Sequence, residues 1–169
     1  RESDFPTRLS DTGLFKTTRP LQPHAALMPY SVNVPHWTDG AQAEHYIALP
    51  GDANTTIRFT GGRAWGLPEG SVLVQNLSLG GRRIETRLMT KQLSEWIGYS
   101  YKWNDNQTDA PLVGRDDSIV VAEQGHYDIV PMGRGCQSVQ RHHRRAVSSP
   151  IQVPHAQVAY IRPMLHWAA

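Results

Sequence analysis

Cysteine is almost missing from this chain: Cys136 is the only one in 169 residues. A single thiol excludes an internal disulfide framework, so whatever folds here folds by packing. It leaves the compartment open, because domains in oxidising compartments need not contain cysteine pairs. Long apolar runs are missing too. No stretch approaches the roughly 20 apolar residues that cross a bilayer as a helix, and the hydrophobic content of 39% with a mean hydropathy of −0.47 is that of a soluble chain. No membrane span is expected. No segment offers ten or more residues of convincing 3.6-residue periodicity, which excludes a helical bundle. The chain also lacks G-x-S-x-G, a P-loop and G-x-G-x-x-G, which removes the nucleophile elbow and the phosphate-cradling glycine loops.

What is present fits one domain with a tail, long enough to bury roughly two thirds of its unfolded surface. The net charge of +2 hides an asymmetry. Residues 1–124 carry 12 Lys and Arg against 14 Asp and Glu, while residues 125–169 carry five Arg, one acid and five of the eight histidines. The tail has no lysine, and its arginines are mixed with Val, Pro, Ser and Gln rather than set in a stripe. Nucleic acid is therefore not an expected partner.

Pro6, Pro20, Pro23, Pro29 and Pro35 make the start of the chain an extended or irregular lead-in, assigned to residues 1–24. Within it "LSDTGLF" (residues 9–15) predicts one helical turn capped by Ser10 or Asp11 and ended by Gly13. From Glu44 the chain reads as strands. "EHYIALP" sets His45, Ile47 and Leu49 against Tyr46 and Ala48, and "TTIRFT" sets Ile57 and Phe59 against Arg58. "GGRAWGLPEG" reads as a loop. "SVLVQNLSL" switches from Val72 and Val74 on one face to Leu77 and Leu79 on the other, which predicts a β-bulge near Gln75–Asn76. "RIETRLMT" and "WIGYSYKW" alternate with period two, and "KQLSE" between them predicts an antiparallel hairpin. The fold class is all-β, an antiparallel β-sandwich over residues 25–115, followed by an irregular basic tail over 116–169.

Several groupings carry possible chemistry. His36, Asp39, Glu44 and His45 gather zinc-type ligands, although Asp39-Gly40 also makes an ordinary turn. Asn104, Asp105, Asn106 and Asp109 place oxygens close together as calcium requires, without the EF-hand glycine and terminal glutamate. Arg83, Glu85 and Arg87 fall on one strand face and form a clamp for a carboxylate or sugar, or a ladder of ion pairs. Glu85 with Asp105 or Asp109 is the pair a glycoside hydrolase would need. Trp37, Trp96, Tyr99 and Trp103 are candidates for stacking on sugar rings, with core packing as the commoner use of such residues. The sequons at Asn54, Asn76 and Asn106 are chance matches in a chain of this composition.

The stretches "LSDTGLF", "PYSVNVPHWTDGAQAEHYIALP", "WGLPEGSVLVQNLSL", "RRIETRLMTK" and "WIGYSYKWNDNQTDAPLV" occur in that order. Together they resemble a family of exported bacterial proteins in which a β-rich module precedes a c-type cytochrome domain, sometimes with a glucose/sorbosone-dehydrogenase-like propeller upstream. The resemblance covers residues 9–113. It implies a periplasmic or secreted location, a role beside electron transfer, and a cytochrome c or dehydrogenase domain as partner. In that family the module leads into a C-x-x-C-H haem site, whose two thiols bond the porphyrin and whose histidine ligates iron. This chain departs there: Cys136 is followed by Gln137, Ser138, Val139 and Gln140, and His142 and His143 come later. No haem residue is assigned, and no cofactor is expected on this chain. A change of reading frame between residues 114 and 135 accounts for the break, against the competing account of a divergent haemless module. The expectation is a non-catalytic β module of a cytochrome-c-associated oxidoreductase system. The alternatives are a carbohydrate-binding module and a small hydrolase.

Overall fold

The computed structural model describes residues 5–33, 38, 40–51, 55–59 and 65–114, together with strands at 119–121 and 127–129. The described chain is all-β and antiparallel. After a 3₁₀ turn at Leu9–Thr12 come β1 (Phe15–Thr18), β2 (Leu21–Pro23), β3 (Met28–Tyr30), β4 (Gln42–Ala48), β5 (Val72–Leu79), β6 (Arg82–Gln92), β7 (Glu95–Lys102), β8 (Ile119–Val121) and β9 (Tyr127–Ile129). β3 to β7 form a five-stranded sheet in sequence order; β1–β2 and β8–β9 are separate hairpins.

The meander is built on short turns. Gly80 and Gly81, at φ 58° and 80°, join β5 to β6. Leu93 and Ser94, at φ 49° and 66°, join β6 to β7. Two successive positive φ values give the turn whose twist matches right-handed strands, and glycine adopts them without steric cost. The expected "KQLSE" loop thus shrinks to two residues, because Lys91 pairs with Trp96 and Gln92 with Glu95.

The register fixes two faces. Ala48, Val72, Thr90 and Ile97 share one row, Tyr46, Val74, Leu88 and Tyr99 the next, and Glu44, Asn76, Thr86 and Tyr101 the third. This first face packs against Leu9, Leu14, Phe15, Ala26 and Leu27 to make the main core. The lead-in therefore packs on this face as a second layer. Leu9 and Leu14 are fully buried, and the Tyr101 hydroxyl donates to the Pro6 carbonyl at 2.8 Å. Burying a leucine contributes about 1.5–3 kcal/mol, so the two bind this layer firmly.

The first and last segments interlock at the β7 edge. Leu9 N donates to Ala110 O and Leu112 N to Thr7 O, both at 2.8 Å, while Val113 N reaches Ser100 O at 2.8 Å. Pairing of this kind removes an exposed edge.

Three further expectations change. The helical turn ends at Gly13 as its sequence implies, but its N-cap is Arg8, with no side-chain cap bond. "TTIRFT" is no regular strand in its described residues: a lone bridge joins Arg58 to Gly66, and Phe59 is 69% exposed. The bulge falls later than Gln75–Asn76, where the register shifts between Leu77 and Ser78 and leaves Ile84 as the extra residue on β6. The apparent phase change in β5 has another cause. Val72 and Val74 face the main core, while Leu77 and Leu79 join Ile84, Val113, Ala41 and Ala43 in a second cluster.

Candidate functional site

The bulge decides where the charged residues of β6 go. Arg83 pairs with Ser78, whereas Leu77 faces Glu85. An extra residue reverses the alternation across it. Arg83 therefore lies on the first face, with its guanidinium carbon 4.4 Å from the Trp103 ring centroid. Glu85 and Arg87 lie on the second face, joined by Arg87 Nε donating to Glu85 Oε1 at 3.0 Å. The expected three-residue clamp is thus divided.

On the second face a polar row crosses all five strands of the sheet: Tyr30, His45, Gln75, Arg87 and Ser100. Its rings and amide touch in sequence. Tyr30 and His45 lie 5.4 Å apart, centroid to centroid, and Gln75 Nε2 is 3.3 Å from His45 Nε2. Burial pushes the Tyr30 hydroxyl up to about 12. Glu85, one register row away, is completely buried, and its cross-strand neighbour is Lys102. An apolar row of Met28, Ile47, Leu73 and Met89 runs alongside. Arg87, His45, Gln75 and Tyr30 are half-buried along this stripe, whereas Glu85 and Ser100 are buried. A fully buried carboxylate paired to arginine serves to fix packing.

On the first face, Trp103 Nε1 donates to Thr86 Oγ1 at 3.0 Å, and Thr86 Oγ1 donates to Asn76 Oδ1 at 2.8 Å. Gln107 grips the adjacent backbone, accepting from Arg83 N and donating to Arg83 O, each at 2.9 Å. Two buried polar atoms among the described residues have no hydrogen-bond partner, Asn76 Nδ2 and Arg83 Nε. Each buried donor left this way costs about 1–3 kcal/mol.

The aromatic candidates separate by burial. Tyr99 is 7% exposed and stacks on Phe5 with centroids 3.5 Å apart, and Trp103 is 3% exposed. Neither offers a face to a sugar. Trp96 is half-buried, with Lys91 Nζ 5.5 Å from its ring centroid. It sits at one end of the sheet, where Glu69 Oε1 accepts from Ser94 N at 2.8 Å. Trp65 precedes Glu69 on the same loop and meets Phe59 edge-on at 5.8 Å. Leu93, at the tip, is 89% exposed.

The metal candidates do not assemble in the described residues. Asp109 Oδ1 accepts from Ser10 N and Ala110 N at 3.1 and 2.8 Å, and its Oδ2 accepts from Ser10 Oγ at 2.7 Å. Asn104 Oδ1 accepts from Thr108 N at 2.9 Å. Asp105 and Asn106 are exposed. Asn104 thus closes the turn on itself, and Asp109 ties it to Ser10 of the lead-in, so these acceptors already serve protein donors. His45 and Glu44, adjacent on β4, point to opposite faces. Among the described residues no group of three His, Cys, Asp or Glu gathers. Glu85 is fully buried, Asp105 is exposed and Asp109 accepts from Ser10 and Ala110, an arrangement that gives neither expected hydrolase pair two accessible carboxylates. His36, Trp37, Asp39, Cys136, His142 and His143 lie outside the described residues, and no described helix is long and apolar enough to cross a membrane.

Tyr30, Gln75, Asn76, Thr86 and Gln107 escaped the sequence reading. Gln75 faces His45, and Asn76 faces Thr86, only once the strand register is known. Against known proteins, no family model, no curated protein and no solved structure matches this chain.

Proposed function

We propose that this chain is the β module of an exported, cytochrome-c-associated oxidoreductase system and acts as a docking element beside a cytochrome c or dehydrogenase domain. One observation carries the reading. The span of the resemblance, residues 9–113, coincides with a unit whose two ends bond each other, Leu9 to Ala110 and Leu112 to Thr7. The five motif stretches are thus parts of one physical object. Its chemistry-bearing side chains hold it together: Arg87 on Glu85, Asp109 on Ser10, and Trp103 on Thr86. A unit of that kind suits holding a partner better than turning over a substrate.

Reading the DNA downstream of codon 110 in all three frames tests the origin. A C-x-x-C-H in another frame supports a module separated from its cytochrome and supplies the domain to use as partner. Saturable binding of that domain to the full chain then supports docking. If no frame contains the site, and no c-type cytochrome encoded beside the gene binds, the reading is overturned.

The second reading is a polysaccharide-binding module. It rests on the half-buried Trp96 beside Lys91 and on the Trp65–Phe59 pair, since aromatic faces stack on sugar C–H faces. Retention of the chain on an insoluble glycan, lost in Trp96→Ala, supports it. No retention on any glycan removes it.

A further inference from the structure

We infer that the β6–β7 tip, residues 91–96, is a docking knob for a partner protein whose surface offers an apolar pocket rimmed by basic side chains. The inference rests on the proposed docking role and assigns that role to one surface. Two turns of the same kind occur in the meander. The β5–β6 turn uses Gly80 and Gly81 at φ 58° and 80°, which glycine adopts without steric cost. The β6–β7 turn holds the same sign of φ with Leu93 and Ser94, at 49° and 66°. A leucine there is strained, and its side chain is 89% exposed, so it gains no burial within this chain. Strain kept at an exposed apolar residue is the mark of a residue held for contact rather than for folding.

The tip is also braced. The loop before β5 holds it along one side: Gly70 N donates to Lys91 O and Lys91 N to Ser71 O, both at 2.9 Å. Ser94 is gripped at both backbone groups, its N–H by Glu69 Oε1 at 2.8 Å and its carbonyl by Lys91 Nζ at 3.1 Å. Leu93 is therefore presented from a fixed support, which lowers the ordering cost of binding. The charges beside it set the partner. Within residues 65–70 and 91–96 the charged groups are Glu69, Glu95 and Lys91. Both acids are exposed, whereas the Lys91 ammonium is engaged by Ser94 O and lies 5.5 Å from the Trp96 ring centroid. An exposed leucine accompanied by two acids complements an apolar pocket with Lys or Arg at its rim, and the acids steer such a surface into place. The same acids disfavour an anionic lipid surface.

The full chain is titrated by calorimetry with the c-type cytochrome domain encoded downstream of the gene or beside it, at low and at moderate salt. Expected is saturable binding by the wild type that weakens as salt rises. The double variant Leu93→Asn, Ser94→Gly relieves the strain and so keeps the turn, and its Kd should be weaker by about tenfold or more. Glu95→Lys should weaken binding and flatten its salt dependence. Glu44→Gln should leave binding unchanged: Glu44 is an exposed acid in the register row of Thr86, whereas the tip continues from the row of Thr90. Wild-type binding that the double variant keeps overturns this inference and leaves the docking role standing. So does a Glu95→Lys protein that binds as the wild type does, or one that loses no more than Glu44→Gln. No binding by the wild type overturns the docking role and the inference together. If the wild type instead sediments with phosphatidylcholine vesicles and the double variant does not, the leucine serves a lipid surface and the inference is likewise overturned.

Discussion

Asp109 grips Ser10 with both carboxylate oxygens across 99 positions of sequence, one on the backbone N–H and one on the hydroxyl. The contact clamps the lead-in layer to the loop after β7, just where Leu9 and Ala110 pair. It also explains why the Asn/Asp-rich loop looks like a calcium site in sequence: its acceptors are real, but they serve nearby N–H and O–H donors.

Asp109→Ala is expected to lower stability by about 1–3 kcal/mol, since it leaves three donors without their acceptor. Hydrogen exchange at Leu9 and Leu14 should quicken along with the loss. Calcium and EDTA should both leave the Tm of the wild type unchanged. A rise with calcium would show that the loop gives up Ser10 for a cation.

Alkaline pH should weaken the fold through Tyr30. Its hydroxyl titrates near 10 when unfolded and about 12 when folded, because burial disfavours the phenolate. Between those values the unfolded chain has lost this proton while the folded chain still holds it. Stability contributed by this group is therefore intact below pH 10 and falls towards pH 12, by about 2–3 kcal/mol in all. Tyr30→Phe should flatten that part of the curve. Urea unfolding at a series of alkaline pH values measures it, and an unchanged slope in the variant would assign the loss to other groups.

The meander was readable because β4 and β7 alternate and the turn residues are placed between strands. Two features were not. Both faces of β6 are covered, so Ile84, Glu85 and Thr86 are all buried in succession, and no hydrophobic alternation marks the bulge that sends Arg83 to the other face. The lead-in is proline-rich and reads as irregular, yet Leu9, Leu14 and Phe15 complete the main core. A short irregular segment carries no period from which its burial can be inferred. The site residues suffered likewise: Glu85 and Arg87 were visible as charges, but their separation from Arg83 depends on one extra residue.

Glu85 and Arg87 should show strong coupling in a double-mutant cycle. Glu85 is fully buried, while the Arg87 side chain keeps 27% of its exposure. Arg87→Ala removes the guanidinium that donates to a fully buried carboxylate and should cost about 1–3 kcal/mol. Glu85→Ala leaves an arginine that can turn towards water, so it should cost less. The double variant should fall short of the sum by about 1–3 kcal/mol, because the Arg87–Glu85 bond is lost only once. Additive losses in urea unfolding would mean that the pair does not act as a unit.

The β6–β7 tip carries the clearest local strain. Leu93 and Ser94 hold φ values of 49° and 66°, a region that branched side chains occupy at a cost. Leu93 is 89% exposed and therefore contributes no burial to offset that cost. Asn-Gly is the dipeptide suited to this turn. The double substitution Leu93→Asn, Ser94→Gly keeps the Ser94 backbone N–H that donates to Glu69 at 2.8 Å. It should stabilise the protein by about 1–2 kcal/mol, raising Tm by roughly 2–6 °C. If Tm instead falls, Leu93 makes a stabilising contact that its exposure conceals. If stability rises as expected while binding to a cytochrome partner is lost, the strained leucine at the tip is part of the docking surface and not a neglected turn.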